Sequence, residues 1–160
     1  MLCAVAALSA CHRDSDAPPP PQAPRVSAPV VPRKGPTGEE LTAGMVEAAN
    51  QGKSQLPVKL KFDLQQRPTL GQPLDVDIAV LPQIDASVGG IEVAGGDGLT
   101  VVPGANRVDL PAVEAGQVYR QSLKVTPTAD GVLLLSLTVS LKHDDVTESR
   151  AFSIPIIVGQ

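Results

Sequence analysis

The sequence predicts an all-β fold, an antiparallel sandwich, and three observations lead there. Apolar and polar residues alternate with a period of two over most of residues 55–160, glycine and proline clusters break that alternation at short intervals, and only one stretch has helical spacing. A parallel sheet needs a crossover helix between successive strands, and the pattern offers none there, so two antiparallel sheets packed face to face remain.

The first strand is set by Val58, Leu60, Phe62 and Leu64 alternating with Lys59, Lys61 and Asp63. The second repeats the pattern with Leu74, Val76, Ile78 and Val80 against Asp75 and Asp77. Further strands are predicted at Val88–Val93, Leu99–Val102, Val118–Thr126, Val132–Lys142 and Arg150–Val158, about seven in all. Turn chemistry separates them in Gly-Gly-Asp-Gly at 95–98, Pro-Gly-Ala-Asn at 103–106 and Pro-Thr-Ala-Asp-Gly at 127–131. In the longest strand Leu133, Leu135, Leu137, Val139 and Leu141 share one face, while the opposite face is apolar only at Val132 and Leu134 before Ser136, Thr138 and Ser140. That pattern belongs to a central strand.

This spacing of strands and turns is similar to immunoglobulin-like and fibronectin-type modules of bacterial envelope proteins. Residues 114–141 resemble the late hairpin of those folds, although no paired cysteines and no tryptophan mark a true antibody domain. The resemblance implies an immunoglobulin-like β-sandwich of about seven strands over residues 55–160.

Ahead of it, Leu41, Met45, Val46 and Ala49 fall at helical spacing, so a short amphipathic helix is predicted over residues 37–54. Thr37 and Glu40 have the spacing of a capping box, and Gly52 is a plausible stop. Gly52-Lys53-Ser54 is not the end of a phosphate loop, because the glycine that motif needs at position 47 is Glu47.

Eight of the 16 prolines lie between Pro18 and Pro36, so residues 11–36 are predicted to be a disordered Pro-rich linker with no core. In polyproline II, at about 3.1 Å per residue, roughly 25 residues reach ~80 Å. A spacer is favoured there over a ligand for a proline-binding module or a cell-wall contact through Arg25, Arg33 and Lys34.

Residues 1–10 are apolar and uncharged, with Leu2, Ala4, Val5, Ala6, Ala7 and Leu8, too short to span a membrane at ~20 residues per span. Leu8-Ser9-Ala10-Cys11 resembles the lipobox of bacterial lipoproteins. The resemblance implies cleavage before Cys11, diacylglyceryl attachment to its sulfur and acylation of the new amino terminus, with Cys3 discarded in the leader. The basic start of a signal peptide is missing, and in-frame codons with Lys or Arg are expected upstream of Met1. His12 stands where an inner-membrane retention signal of the family has Asp, so the expected location is the cell envelope, anchored with the domain in the periplasm and outer membrane favoured over inner.

Composition removes several function classes. The formal charge is −4, and the excess of acid falls after Ser54, with 8 basic against 12 acidic residues, so no nucleic acid partner is expected. Phe62, Tyr119 and Phe152 are the only aromatics, which disfavours recognition by stacking.

Reactive groups are sparse. His143 is the one histidine after the linker, flanked by Asp144 and Asp145 on an expected hairpin, and the Lys142–Glu148 stretch lacks the ligand spacing of a zinc or calcium site. Gly-Gly-Asp-Gly occurs once and reads as a turn rather than a calcium repeat, and Asp63, Asp75, Asp77, Asp85, Asp97, Asp109 and Asp130 read as solvated. No catalytic residue, metal or cofactor is expected. The chain is therefore read as a lipoprotein held on a membrane through Cys11 that presents its sandwich to an envelope protein. The alternative is a small-ligand or hydrolytic site in the loops near His143.

Overall fold

The computed structural model describes residues 37–159; Cys11, the leader 1–10 and the Pro-rich linker 11–36 lie outside the described residues. Alternating branched side chains produce the predicted all-β architecture, an immunoglobulin-like sandwich of two antiparallel five-stranded sheets. The first sheet has the order β1 (Val46–Glu47), β3 (Val58–Leu64), β4 (Leu74–Pro82), β8 (Tyr119–Pro127), β6 (Leu99–Val101). The second has the order β2 (Ala49–Gln51), β10 (Val146–Val158), β9 (Gly131–His143), β5 (Val88–Gly95), β7 (Arg107–Leu110).

The core lies between the sheets. Leu60, Val76, Ile78 and Val125 of the first sheet meet Leu135, Leu137, Val139, Ile154 and Ile156 of the second, all with no exposed surface. As predicted, β9 is central, paired with β5 on one side and along all 13 of its residues with β10 on the other. Phe62 and Phe152 are buried, and the Tyr119 hydroxyl holds a corner by accepting from the Glu114 amide at 2.8 Å and donating to the Ala112 carbonyl at 3.2 Å. Arg150 closes the side of the sandwich: its guanidinium donates to the Leu56 carbonyl and to Asn50 Oδ1, both at 2.9 Å, and lies over the Phe152 ring.

Three expectations need correction. The helix over residues 37–54 is one turn, α1 (Gly38–Leu41), and the rest of that stretch forms β1 and β2. Only Ala48 of residues 46–51 is buried. An extended strand lets Val46 and Glu47 pair with β3 while Ala49–Gln51 pair with β10, joining the edges of both sheets, which a helix cannot do. The strand count rises from about seven to ten with β1, β2 and β7. Finally, β8 and β9 are not a hairpin. Their apolar faces both need burial, and placing the strands in opposite sheets puts Leu123 and Val125 in the same core as Leu133 and Leu135. The hairpin is β9–β10, closed by Asp144 and Asp145 at φ 45° and 63°, the left-handed geometry of a two-residue turn.

The capping box exists as predicted. Glu40 accepts from the Thr37 amide at 2.7 Å and from its hydroxyl at 3.0 Å, and these bonds, the backbone one foremost, lower the Glu40 pKa. A lowered folded value means that the cap is intact above the ordinary carboxylate range and is lost as pH falls through the folded value. Acid titration followed by amide NMR is expected to release the Thr37 amide as Glu40 protonates. An amide shift unchanged through that protonation contradicts the assignment.

Candidate interaction face

His143 ends β9 beside the open hairpin. Its Nδ1 lies 2.8 Å from the Asp85 carbonyl and its Nε2 lies 3.0 Å from Asp144 Oδ2, while half of its side chain is exposed. Both ring nitrogens face oxygen acceptors, so neither is turned toward a hydroxyl that it could activate. A cleft of about 270 Å³ lies alongside, with Leu56, Ile84, Leu141 and Val146 as its apolar wall and His143 and Glu148 on its rim. Among the described residues no three His, Cys, Asp or Glu side chains come together as metal ligands. Lys142–Glu148 is instead a polar hairpin end, tied by a 3.1 Å Lys142–Asp145 ion pair.

Gly-Gly-Asp-Gly is a turn, as read from sequence, and it carries the chain from β5 to β6. Asp63, Asp85, Asp97, Asp109 and Asp130 are exposed and Asp75 and Asp77 half-buried. Asp75 pairs with Lys124, and Asp109 bonds Arg107. The Asp109 hydrogen bond and charge, and then Glu92, raise the Arg107 pKa.

The feature that sets this sandwich apart is the contrast between its two outer faces. Strand parity turns Lys59, Lys61, Asp63, Asp75, Asp77, Arg120 and Lys124 outward on the first sheet. That face is a mosaic of both signs, partly covered by α1, where Arg120 donates to the Leu41 carbonyl. On the three central strands of the second sheet the outward residues are small or apolar, and only Glu92 and Lys142 carry charge. Gly90, Ser136, Thr138, Ser140, Ser149 and Ala151 make the middle of that face low, and the Ser140 and Ser149 hydroxyls bond each other at 2.7 Å. Lacking a side chain, Gly90 leaves a groove of about 360 Å³ bounded by Val88, Arg107 and Lys142.

At one end the same face becomes apolar. Val132 is 66% exposed, Leu134 45% and Ile157 64%; Val132 pairs with Ile157 and Leu134 with Pro155, so the four form one patch. The patch lies far from α1, the first of the described elements. Gly38 packs by Leu81 and Val118, and Lys59 pairs with Glu39, which places α1 at the His143 end of the strands, while Val132 and Ile157 sit at the other. Thirteen residues of β9 separate the two ends, roughly 40 Å at the usual strand rise.

The sheet edges are guarded. β1, β2, β6 and β7 have two to four residues each, and Arg107 and Asp109 charge β7. Beyond β2 the edge of β10 is open, but there it carries Pro155. The Ala48 amide donates to the Leu60 carbonyl, so the alternating backbone turns Ala49 and Gln51 toward β10, and Ala151 and Ser153 toward β2. Two residues on, the Pro155 nitrogen faces the open edge with no N–H to offer an added strand.

No protein-family model matches the chain, and no curated protein matches it. Among solved structures it is similar to the GAE domain of GGA2p from Saccharomyces cerevisiae, with 12% identity, a TM-score of 0.41, and coverage of 69% of this chain and 99% of that one. It is also similar to WR4, a C. elegans MSP family member, with 8% identity, a TM-score of 0.38, and coverage of 61% of this chain and 97% of that one.

Sequence reading identified the outward run of β9 but not the face to which it belongs. Val88, Gly90, Ser149, Ala151 and Ile157 come from separate segments, and only the register of β5, β9 and β10 unites them.

Proposed function

We propose that this protein is a membrane-anchored lipoprotein of the cell envelope whose β-sandwich is a protein-interaction module, using the outward face of the second sheet to dock its partner. The observation that carries the reading is the asymmetry of the two faces: one a mosaic of both charges partly covered by α1, the other with few charges and ending in Val132, Leu134 and Ile157. Covering apolar side chains of this size contributes about 1.5–3 kcal/mol each when they are fully buried, which gives a partner a reason to settle there. The low middle of the face lets another backbone approach closely.

The anchoring half of the proposal rests on Leu8-Ser9-Ala10-Cys11 and on the proline content of residues 11–36. A lipid on Cys11 and a spacer together hold a domain off a bilayer, and the patch lies at the end of the sandwich away from α1. His12 after the cysteine favours delivery to the outer membrane. Docking on a face rather than by strand addition follows from the short edges and from Pro155.

A photocrosslinking amino acid placed at Thr138, on the second-sheet face, or at Lys61, on the first, tests this in intact cells. The expected outcome is a discrete crosslinked species from Thr138 and none from Lys61. Capture from Lys61 alone, or from neither position in repeated trials, contradicts the proposal.

A further inference from the structure

The apolar end of this face also has a charge of its own. Asp97 lies between Gly96, which touches the Leu134 carbonyl, and Gly98, which packs by Leu133; Asp130 lies beside Gly159 and next to Gly131, the partner of Val158. Asp97 and Asp130 are therefore both at the end of the second sheet that carries Val132, Leu134 and Ile157, and both are exposed. The ion pairs of the second sheet are elsewhere: Lys142 with Asp145 at the hairpin, and Arg107 with Glu92 and Asp109 toward β7. Among the described residues Asp97 and Asp130 enter no ion pair, and no Lys or Arg stands on the outward faces of β9 and β10 at this end.

We propose that this end of the face takes an extended apolar segment of another protein flanked by lysine or arginine, laid across β9 and β10. The inference rests on the reading of the second-sheet face as a docking surface and adds the chemistry of what docks. The apolar side chains of the segment cover Val132, Leu134 and Ile157, and its cations meet Asp97 and Asp130. Other occupants fit worse. A second copy packed two-fold on the patch sets like-charged rims against each other. An anionic lipid surface is repelled by the same two carboxylates. Addition to the edge of β10 meets Pro155, which leaves the face as the place for the segment to lie.

The test uses the purified full chain and two fluorescent peptides, Lys-Lys-Val-Pro-Ile-Val-Lys-Lys and its counterpart with every Lys replaced by Glu. Anisotropy titration at low salt is expected to show binding of the Lys peptide about five- to tenfold tighter than the Glu peptide, a preference that falls with added salt. Methyl NMR is expected to place the bound Lys peptide on Val132, Leu134 and Ile157. The double variant Asp97→Asn with Asp130→Asn is expected to lose most of the preference while keeping its fold. Equal binding of both peptides at those methyls overturns the charge rule and leaves the docking face standing. No shift of those methyls by either peptide overturns both. Binding of phosphatidylglycerol vesicles through those residues, or dimerisation abolished by Leu134→Asp, overturns the proposed occupant in favour of a membrane or a second copy.

Discussion

Gly95→Val is expected to cost about 3 kcal/mol or more, at the upper end of what overpacking does, and to lower the urea midpoint by roughly 1–2 M. Gly95 ends β5 in the second sheet, and the chain must reach Leu99, the start of β6 in the first, within three intervening residues. That short path brings the Leu99 carbonyl against the α-carbon of Gly95, and a Cβ added there would run into the oxygen. Because both the oxygen and the glycine are backbone at the ends of paired strands, neither moves without loosening a ladder. Gly98, at φ 79° with a built Cβ 2.7 Å from that of Ala129, leaves the same crossing no second way to relax. Gly90 supplies the control. It faces outward from the middle of the same strand, a Cβ there meets nothing closer than the Val108 carbonyl at 3.7 Å, and Gly90→Ala is expected to leave the urea midpoint nearly unchanged. Equal losses at both positions contradict this account of the crossing.

Cys11→Ser is expected to move the protein from the membrane pellet to the soluble fraction almost completely. The multiple acyl chains implied by the lipobox resemblance hold a protein stably where one chain gives only marginal binding, and serine offers no thiol for diacylglyceryl transfer. The same variant should lose the mass of its lipid in intact-protein mass spectrometry. Unchanged fractionation, with a mass equal to the unmodified chain before substitution, contradicts the anchoring half of the proposal. Stability of the domain should be unaffected, since the sandwich is built from residues 46–158 and Cys11 supplies none of its strands.

Much of this fold is legible in the sequence because its two sheets each have one buried face. Leu133, Leu135, Leu137, Val139 and Leu141 alternate cleanly and are buried in the structure, and the strands at Val58, Leu74 and Leu99 begin where the pattern places them. What failed did so where local pattern and tertiary pairing disagree. Val46 to Gln51 carries helix-forming residues at helical spacing, yet the open edges of β3 and β10 supply hydrogen-bond partners that decide the matter in favour of strand. Arg107–Leu110 buries one residue and so leaves no alternation to see. The turn at 127–131 resembles a hairpin loop, but no local signal distinguishes a return within one sheet from a step to the other.

The candidate face was half legible. The run from Val132 to Ser140 shows its outward side, apolar and then small, whereas its exposure depends on none of the described elements lying over β9, a fact of topology rather than of composition. Cys11 is the converse, visible in sequence by motif and position and outside the described residues.

The central claim is that Val132, Leu134 and Ile157 dock a partner, and co-purification from crosslinked cells of the full chain and of Leu134→Asp with Ile157→Asp tests it most directly. Both side chains already face solvent, so the double variant is expected to keep its urea midpoint and its membrane fractionation while losing the partner. A partner recovered undiminished with the folded double variant contradicts the account.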